Sequence, residues 1–364
     1  MNGLDISIVE RSLQFKTPAG TSRGALTEKP SFYVVARDLE EDGRLGIGEC
    51  SLIPGLSPES APRARMELKR LAASGSLNPK AMSLQYPAVK FAAETALIDL
   101  LNEGTRTLFP GPFTEGQPTP INGLIWMGDP EDMVAQAASL LDRGFDTLKM
   151  KVGALDFERE CECIAAIRSL APADRIVLRL DANGGLDDAD PNVTLKKLER
   201  LSAFDIHSME QPIRAGQWKK MAAICKDSPI PVALDEELIG ISDTTLRRNM
   251  LHVIQPDYVI LKPSLLGGFV ESNHWMDLAK EVGANWWATS ALESNIGLNA
   301  IAQWASDAVA EEKAPMPQGL GTGSLFTNNL SSPLVVERGT IRMNMSAETD
   351  HAHPDVWNLT EILP

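Results

Sequence analysis

The chain is poor in the residues that soft metals and disulfides require. It carries four cysteines, Cys50, Cys161, Cys163 and Cys225, with no C-x-x-C pair, and five histidines that form no cluster. A zinc site of ordinary spacing and a disulfide framework are therefore not expected, and free thiols in a reducing compartment are. No G-x-G-x-x-G follows a strand pattern, which argues against a dinucleotide-binding fold. No apolar run approaches the length of a membrane span, and the opening MNGLDISIVERSL lacks a basic stretch followed by an apolar one. A cytoplasmic soluble protein is the expectation. Positive charge is also scarce, with 34 Lys and Arg against 49 Asp and Glu, a formal net charge of -15. That balance argues against nucleic acid and against an anionic membrane as partners. A small anionic substrate stays compatible with it, provided a metal and lysines reverse the field locally. Nothing in the composition sets the oligomeric state.

What is present is the material of an ordinary α/β protein, 364 residues with 43% hydrophobic and 23% charged content. Residues 4–15 alternate like a strand, 17–30 are rich in Gly, Thr, Ser and Pro and read as a flexible loop around Arg23, and 31–38 and 45–50 complete a three-stranded antiparallel meander. A second Gly/Pro loop, 51–62, precedes helical patterns at 62–73 and 88–102. From about residue 120 the texture changes to strand, helix, strand. Strand candidates at 121–126, 147–152, 176–182, 207–211, 232–236, 258–263 and 285–289, with a weak one at 318–321, alternate with amphipathic helices. Eight such units predict a (β/α) barrel of parallel strands. The tail 335–345 alternates again and is expected to return to the N-terminal sheet.

The second barrel strand, TLKMKV, holds the feature around which the rest is arranged. Lys149 and Lys151 are two apart, so both side chains leave the same face of a buried strand. Two ammonium groups on one buried face repel and resist desolvation, so an anionic surface should meet them; the alternative is an edge strand with solvated lysines. The next strands end in Asp181 (RLDAN), Glu210 (MEQP), Asp235 (ALDEE) and Lys262 (ILKPS). A lone Asp at a strand end is commonly a helix cap. Three carboxylates on three consecutive strands, bracketed by lysines, are hard to explain as structure, because each unpaired charge would be costly in its apolar run. In a barrel they gather at the C-terminal face. Three hard oxygen ligands without His or Cys select Mg²⁺, with Mn²⁺ as the alternative. Lysines on either side of a metal-held carboxylate suit removal of a proton α to that carboxylate, and Lys149 and the metal are expected to lower the pKa of Lys151.

This pattern of K-x-K, Asp, Glu, Asp and Lys resembles the muconate-lactonizing-enzyme group of the enolase superfamily. The resemblance covers nearly the whole chain. It implies an enolase-like fold in the α/β class, a modified (β/α) TIM-type barrel at residues 116–329. An α+β capping domain at residues 1–115 would be completed by the tail 330–364. The loops 17–30 and 51–62, the latter written GIGECSLIPGLS, would then cover the site. The implied roles are Lys151 as base and then acid, Lys262 as a positive charge on the opposite face, Lys149 tuning Lys151, and Asp181, Glu210 and Asp235 as metal ligands. The stretch SALESNIGLNAIAQWA, followed by QGLGTGSLF, resembles the aromatising dehydratases of the group, which convert a succinyl-bearing hydroxycyclohexadiene carboxylate to 2-succinylbenzoate. No His base stands on the seventh strand, as acid-sugar dehydratases require, and no Asp-x-Asp stands near the eighth, as dipeptide epimerases require.

Ser290, Glu293, Gly321 and Arg23 are expected substrate contacts, each with an ordinary loop role as the alternative. Asn183 either supports the metal ligands or serves as a turn residue, and Glu236 and Glu237 read as solvated loop acids, with support of the metal ligands as the alternative. Two rival functions stay open: an N-acylamino-acid or dipeptide racemase using both Lys151 and Lys262 as bases, and a barrel that binds a metal without catalysis.

Overall fold

In the computed structural model the described residues are 3–21, 24–40, 44–310, 315–345, 354–357 and 359–363. The N-terminal unit is an antiparallel sheet in the order β1 (Leu4–Thr21), β2 (Gly24–Asp38), β3 (Leu45–Ser51). Within the expected loop at 17–30, residues 17–21 and 24–30 are instead the distal arm of this sheet. Ala19 pairs with Leu26 and Thr21 with Gly24, beyond a register shift between Gln14 and Ala19. Its composition is poor in strand formers, but the backbone hydrogen bonds of a hairpin are available to any residue but proline, and the irregularity falls around Pro18. Arg23 lies outside the described residues.

Two helices, α1 (Ala61–Ser74) and α2 (Pro87–Leu101), cover one face of the sheet. Gly46 and Gly48 of β3 are required by this contact: a Cβ at Gly46 would collide with the carbonyl oxygen of Ala96, and one at Gly48 with that of Ala92. The alanines Ala88, Ala92, Ala93 and Ala96 complete the close approach and are fully buried. Helix α2 is buried nearly all round, because its far side meets the barrel.

The barrel begins after β4 (Thr119–Pro120). Its strands are β5 (Gly123–Ile125), β6 (Thr147–Lys151), β7 (Val177–Asp181), β8 (Ile206–Glu210), β9 (Val232–Leu234), β10 (Tyr258–Leu261) and β11 (Asn285–Ala288), seven in one sheet, in sequence order and parallel throughout. The intervening helices are α3 (Pro130–Asp142), α4 (Phe157–Leu170), α5 (Pro191–Ser202), α6 (Trp218–Asp227), α7 (Thr244–Ile254), the short α8 (Pro263–Leu266) and α9 (Phe269–Glu281), with α10 (Asn295–Ala308) after the last strand. Side chains of Asp156, Asp190, Asp243 and Ser294 cap the N-termini of α4, α5, α7 and α10. The eighth strand is reduced to two parallel bridges, Ile121 with Gln318 and Thr289 with Gly319, which join the two edges of the sheet. The run GLGTG that follows turns at once into a short 3₁₀ segment, Gly321–Ser324, rather than extending.

The tail corrects the sequence reading. The strands β12 (Leu334–Glu337) and β13 (Thr340–Met343) pair with each other, and β13 pairs with β4, not with the N-terminal sheet. Further along, Trp357, Leu359 and Ile362 pack against Tyr33, Val35 and Ile47 of that sheet. Alternation identified β12 and β13 as strands but could not name their partner, since any open edge offers the same hydrogen bonds.

The N-terminal unit is bound to the barrel through buried helix ends. Glu49 of β3 accepts from the backbone N–H of Ser294 at 2.9 Å, from the Ser294 hydroxyl at 2.6 Å and from Gly297 N–H at 2.9 Å, at the start of α10. Glu94 of α2 accepts from Phe269 N–H at 2.6 Å and Val270 N–H at 3.2 Å, at the start of α9. Each carboxylate meets the positive end of a helix dipole.

Candidate active site

The register of the parallel sheet brings the charged strand ends together. Lys151 pairs with Asp181 and Asp181 with Glu210, while Lys149 pairs with Arg179 one pleat lower. Lys149 and Lys151 leave the same face of β6, as the spacing requires, and that face meets carboxylates. Lys149 Nζ donates to Glu210 Oε1 at 2.6 Å and stands 3.0 Å from Asp181 Oδ2. Lys262, at the N-terminus of α8 and across the barrel from β6, donates to Asp235 Oδ2. All six residues apart from Lys151 are at most 9% exposed, so water screens little of this charge.

Lys151 is aimed differently. Its Nζ is 3.9 Å from Asp181 Oδ2 and donates to Asn183 Oδ1 at 2.6 Å. Asn183 in turn donates from Nδ2 to Glu236 Oε1 at 3.0 Å, and its backbone N–H holds Asp181 Oδ1 at 3.1 Å. Asn183 occupies a left-handed conformation, φ +42°, which asparagine tolerates better than most residues. Glu236 is part of the cavity wall and not a solvated loop acid. Glu237 is buried too, accepting from Gly216 N–H at 2.7 Å and from Gln211 at 3.2 Å. Their solvated reading failed because a D-E-E run at a strand end looks like any polar loop until the barrel mouth closes around it.

The electrostatics are those of a site with more carboxylate than its cations can satisfy. Burial pushes the Asp181 carboxyl up, but Lys149, Lys151 and Lys262 outweigh it and hold the group well below the usual carboxylate range. Burial works against the Lys149 ammonium, and Asp181, Glu210 and Asp235 more than reverse that, raising it well above an ordinary lysine. Glu210 is pushed up to about 8, first by burial and then by the neighbouring charges of Asp181 and Asp235. Its Oε2 is buried with no hydrogen-bond partner. Among the described residues no three acidic, His or Cys side chains converge at ligand distance; Lys149 bridges Asp181 and Glu210, and Lys262 holds Asp235. The donor set nevertheless suits a hard divalent cation. Three carboxylates end on adjacent strands, and one of their oxygens is a buried orphan.

These groups open into a cavity of ≈ 1020 Å³ whose wall includes Lys149, Lys151, Asp181 and Lys262. Ser290 and Gly321 also line it. Glu293 is fully buried behind that wall, where it accepts from Ser264, from Ser290 Oγ at 2.6 Å and from Ala291 N–H at 2.8 Å. Ile53, Pro54 and Leu56, from the segment after β3, contribute an apolar side, as do Trp126 and Leu292. Sequence reasoning expected that segment to cover the site but singled out none of its residues, and Trp126 carried no signal beyond ordinary core composition. No helix among the described residues is long and apolar enough to cross a membrane.

A parallel barrel with a lysine pair facing three strand-end carboxylates and a further lysine opposite is the arrangement of an enolase-type barrel. The chain belongs to the Enolase C-terminal domain-like family, which it matches over residues 132–346. It is 44% identical over 376 residues to the o-succinylbenzoate synthase of Desulfotalea psychrophila, covering 94% of this chain and 99% of that protein. The crystal structure of MenC from Desulfotalea psychrophila LSv54 superposes with a TM-score of 0.81 at 40% identity, over 94% of this chain and 100% of that one. A more distant relative is the N-succinyl-L-Arg/Lys racemase of Bacillus cereus, 25% identical over 304 residues, 79% of each protein.

Proposed function

We propose that this protein is an o-succinylbenzoate synthase, a carbon–oxygen lyase that dehydrates 2-succinyl-6-hydroxy-2,4-cyclohexadiene-1-carboxylate to 2-succinylbenzoate, a step of menaquinone biosynthesis. The observation that carries the reading is the placement of Lys151 and Lys262 on opposite sides of the Asp181–Glu210–Asp235 cluster. The similarity to the Desulfotalea synthase over nearly the full length of both chains supports the particular substrate. Asp181, Glu210 and Asp235 would hold a divalent cation, Mg²⁺ or Mn²⁺. When bound, it supplies Lewis-acid stabilisation of the charge that develops on the substrate carboxylate.

Lys151, as the free amine, takes the proton from the ring carbon that bears the carboxylate. Asn183 orients its nitrogen for that task. The electron pair released moves into the ring and the C–O bond to the hydroxyl breaks. The departing hydroxide takes the proton back from the Lys151 ammonium and leaves as water, so one residue on one face serves as base and then acid. Lys262 contributes a fixed positive charge on the other face, and Lys149 bridges two of the carboxylates around it. The apolar wall of Ile53, Leu56 and Leu292 suits a ring that becomes aromatic.

Purified protein mixed with the cyclohexadiene and Mg²⁺ should show the ultraviolet change of aromatisation. A second reading, an N-succinylamino-acid racemase, draws on the same two lysines on opposite faces and on the Bacillus relative. Fast α-proton exchange of both enantiomers of an N-succinyl amino acid in deuterated water, with no turnover of the cyclohexadiene, would overturn the synthase in its favour.

A further inference from the structure

One leucine of the cavity wall sits in a conformation that leucine avoids. Leu292 has φ +61°, in the left-handed region, where the Cβ of a bulky residue crowds its own backbone. The turn around it is clamped. Ser290 Oγ accepts from Leu292 N–H at 3.1 Å and also receives the Thr322 hydroxyl at 2.7 Å. The buried Glu293 carboxylate accepts from Ala291 N–H and Ser290 Oγ through one oxygen and from the Ser264 hydroxyl through the other. Glycine would take this backbone without strain, so the clamp serves to present a side chain.

That side chain lines the cavity and packs against two separate apolar clusters. One is Leu13, Phe15 and Phe326, the other Ile53, Leu265 and Ala291. The first carries the β1–β2 hairpin, and the second carries the segment 52–60 after β3. Leu26 of β2 packs against the same two clusters, so a leucine of the N-terminal sheet and a leucine of the barrel together join the covering segments at the cavity wall.

We infer that Leu292 is a specificity-determining residue, a strained apolar peg. The hairpin and the 52–60 segment seat on it to close an apolar wall against the ring of the bound carboxylate. The ring-bearing ligand rests on the function proposed above; the seating does not.

The test compares Leu292→Gly, Leu292→Ala and Leu292→Met in the full chain. Leu292→Gly removes the peg and the strain together. It should keep a melting temperature close to the parent's, raise KM for the cyclohexadiene on the order of tenfold through one lost apolar contact, and change kcat less. Thermolysin should cut at Ile53 or Leu56 faster. Leu292→Ala keeps the strain without the peg, so it should show the same KM with a lower melting temperature, and Leu292→Met should restore parent behaviour. Parent KM and parent cleavage rate in both Gly and Ala variants would overturn the inference. If the parent itself does not turn over the cyclohexadiene, the functional reading fails alone. The cleavage rates then decide the peg, faster cleavage supporting it and unchanged cleavage overturning it.

Discussion

Lys151 donates to Asn183 Oδ1 at 2.6 Å, whereas Lys149, one pleat away on the same face, is given over to Asp181 and Glu210. Two lysines of the same strand therefore do different work, one bridging carboxylates and the other held toward the cavity by a neutral amide. Asn183→Gly keeps the left-handed backbone and removes only the amide. It should lower kcat by about 10- to 100-fold through misplacement of the Lys151 nitrogen, with a smaller change in KM. A parent kcat in this variant would show that Asn183 is only a turn residue.

The three strand-end carboxylates should act as one site. EDTA should abolish turnover, and Mg²⁺ or Mn²⁺ should restore it. Asp181→Asn, Glu210→Gln and Asp235→Asn should each weaken Mn²⁺ binding measured by calorimetry, independently of activity. Full turnover by protein stripped of metal would sink the assignment.

Lys151 and Lys262 should differ in what they tolerate. Lys151→Ala should remove dehydration below detection, because Lys149, on the same face, is held by Asp181 and Glu210. Lys262→Arg should keep part of the activity, whereas Lys262→Ala should lose several powers of ten, as expected for a lost charge partner of the transition state. Equal sensitivity of the Lys262→Arg and Lys262→Ala variants would mean that Lys262 moves a proton rather than holding a charge.

Glu59 should give stability a pH dependence unconnected with catalysis. It accepts from Ala88 N–H at 2.7 Å at the start of α2, and its other oxygen is buried without a partner. Burial pushes its carboxyl from 4.5 up to about 7, against the pull of its backbone hydrogen bonds. The folded state therefore keeps a proton that the unfolded chain releases. Its contribution to stability is whole below about pH 4.5, declines as the pH rises toward 7 and is level above that, a change of about 3 kcal/mol at most. Glu59→Gln should thus gain on the parent between pH 5 and pH 8 in urea unfolding. A difference that does not vary with pH would show that Glu59 titrates normally.

The charged strand ends were legible in the sequence because of what each would cost alone. A Lys, Asp or Glu inside an apolar run is expensive unless paired, so six of them at the ends of five consecutive strand patterns implied a shared centre. The period of two put Lys149 and Lys151 on one face, and the parallel register of β6 to β8 then left their carboxylate partners little choice. Helices and barrel strands were equally readable, since their periodicity is local. Partnership is not local, and there the tertiary structure decided. It made residues 17–21 and 24–30 an arm of the sheet and sent the β12–β13 hairpin to β4 through β13, because backbone hydrogen bonds accept any edge within reach. It put Asn183 against Lys151 and Glu293 behind the wall. It also turned Leu292 into the left-handed region, which no sequence pattern announces, because the backbone N–H groups of Leu292 and Ala291 are held by Ser290 and Glu293.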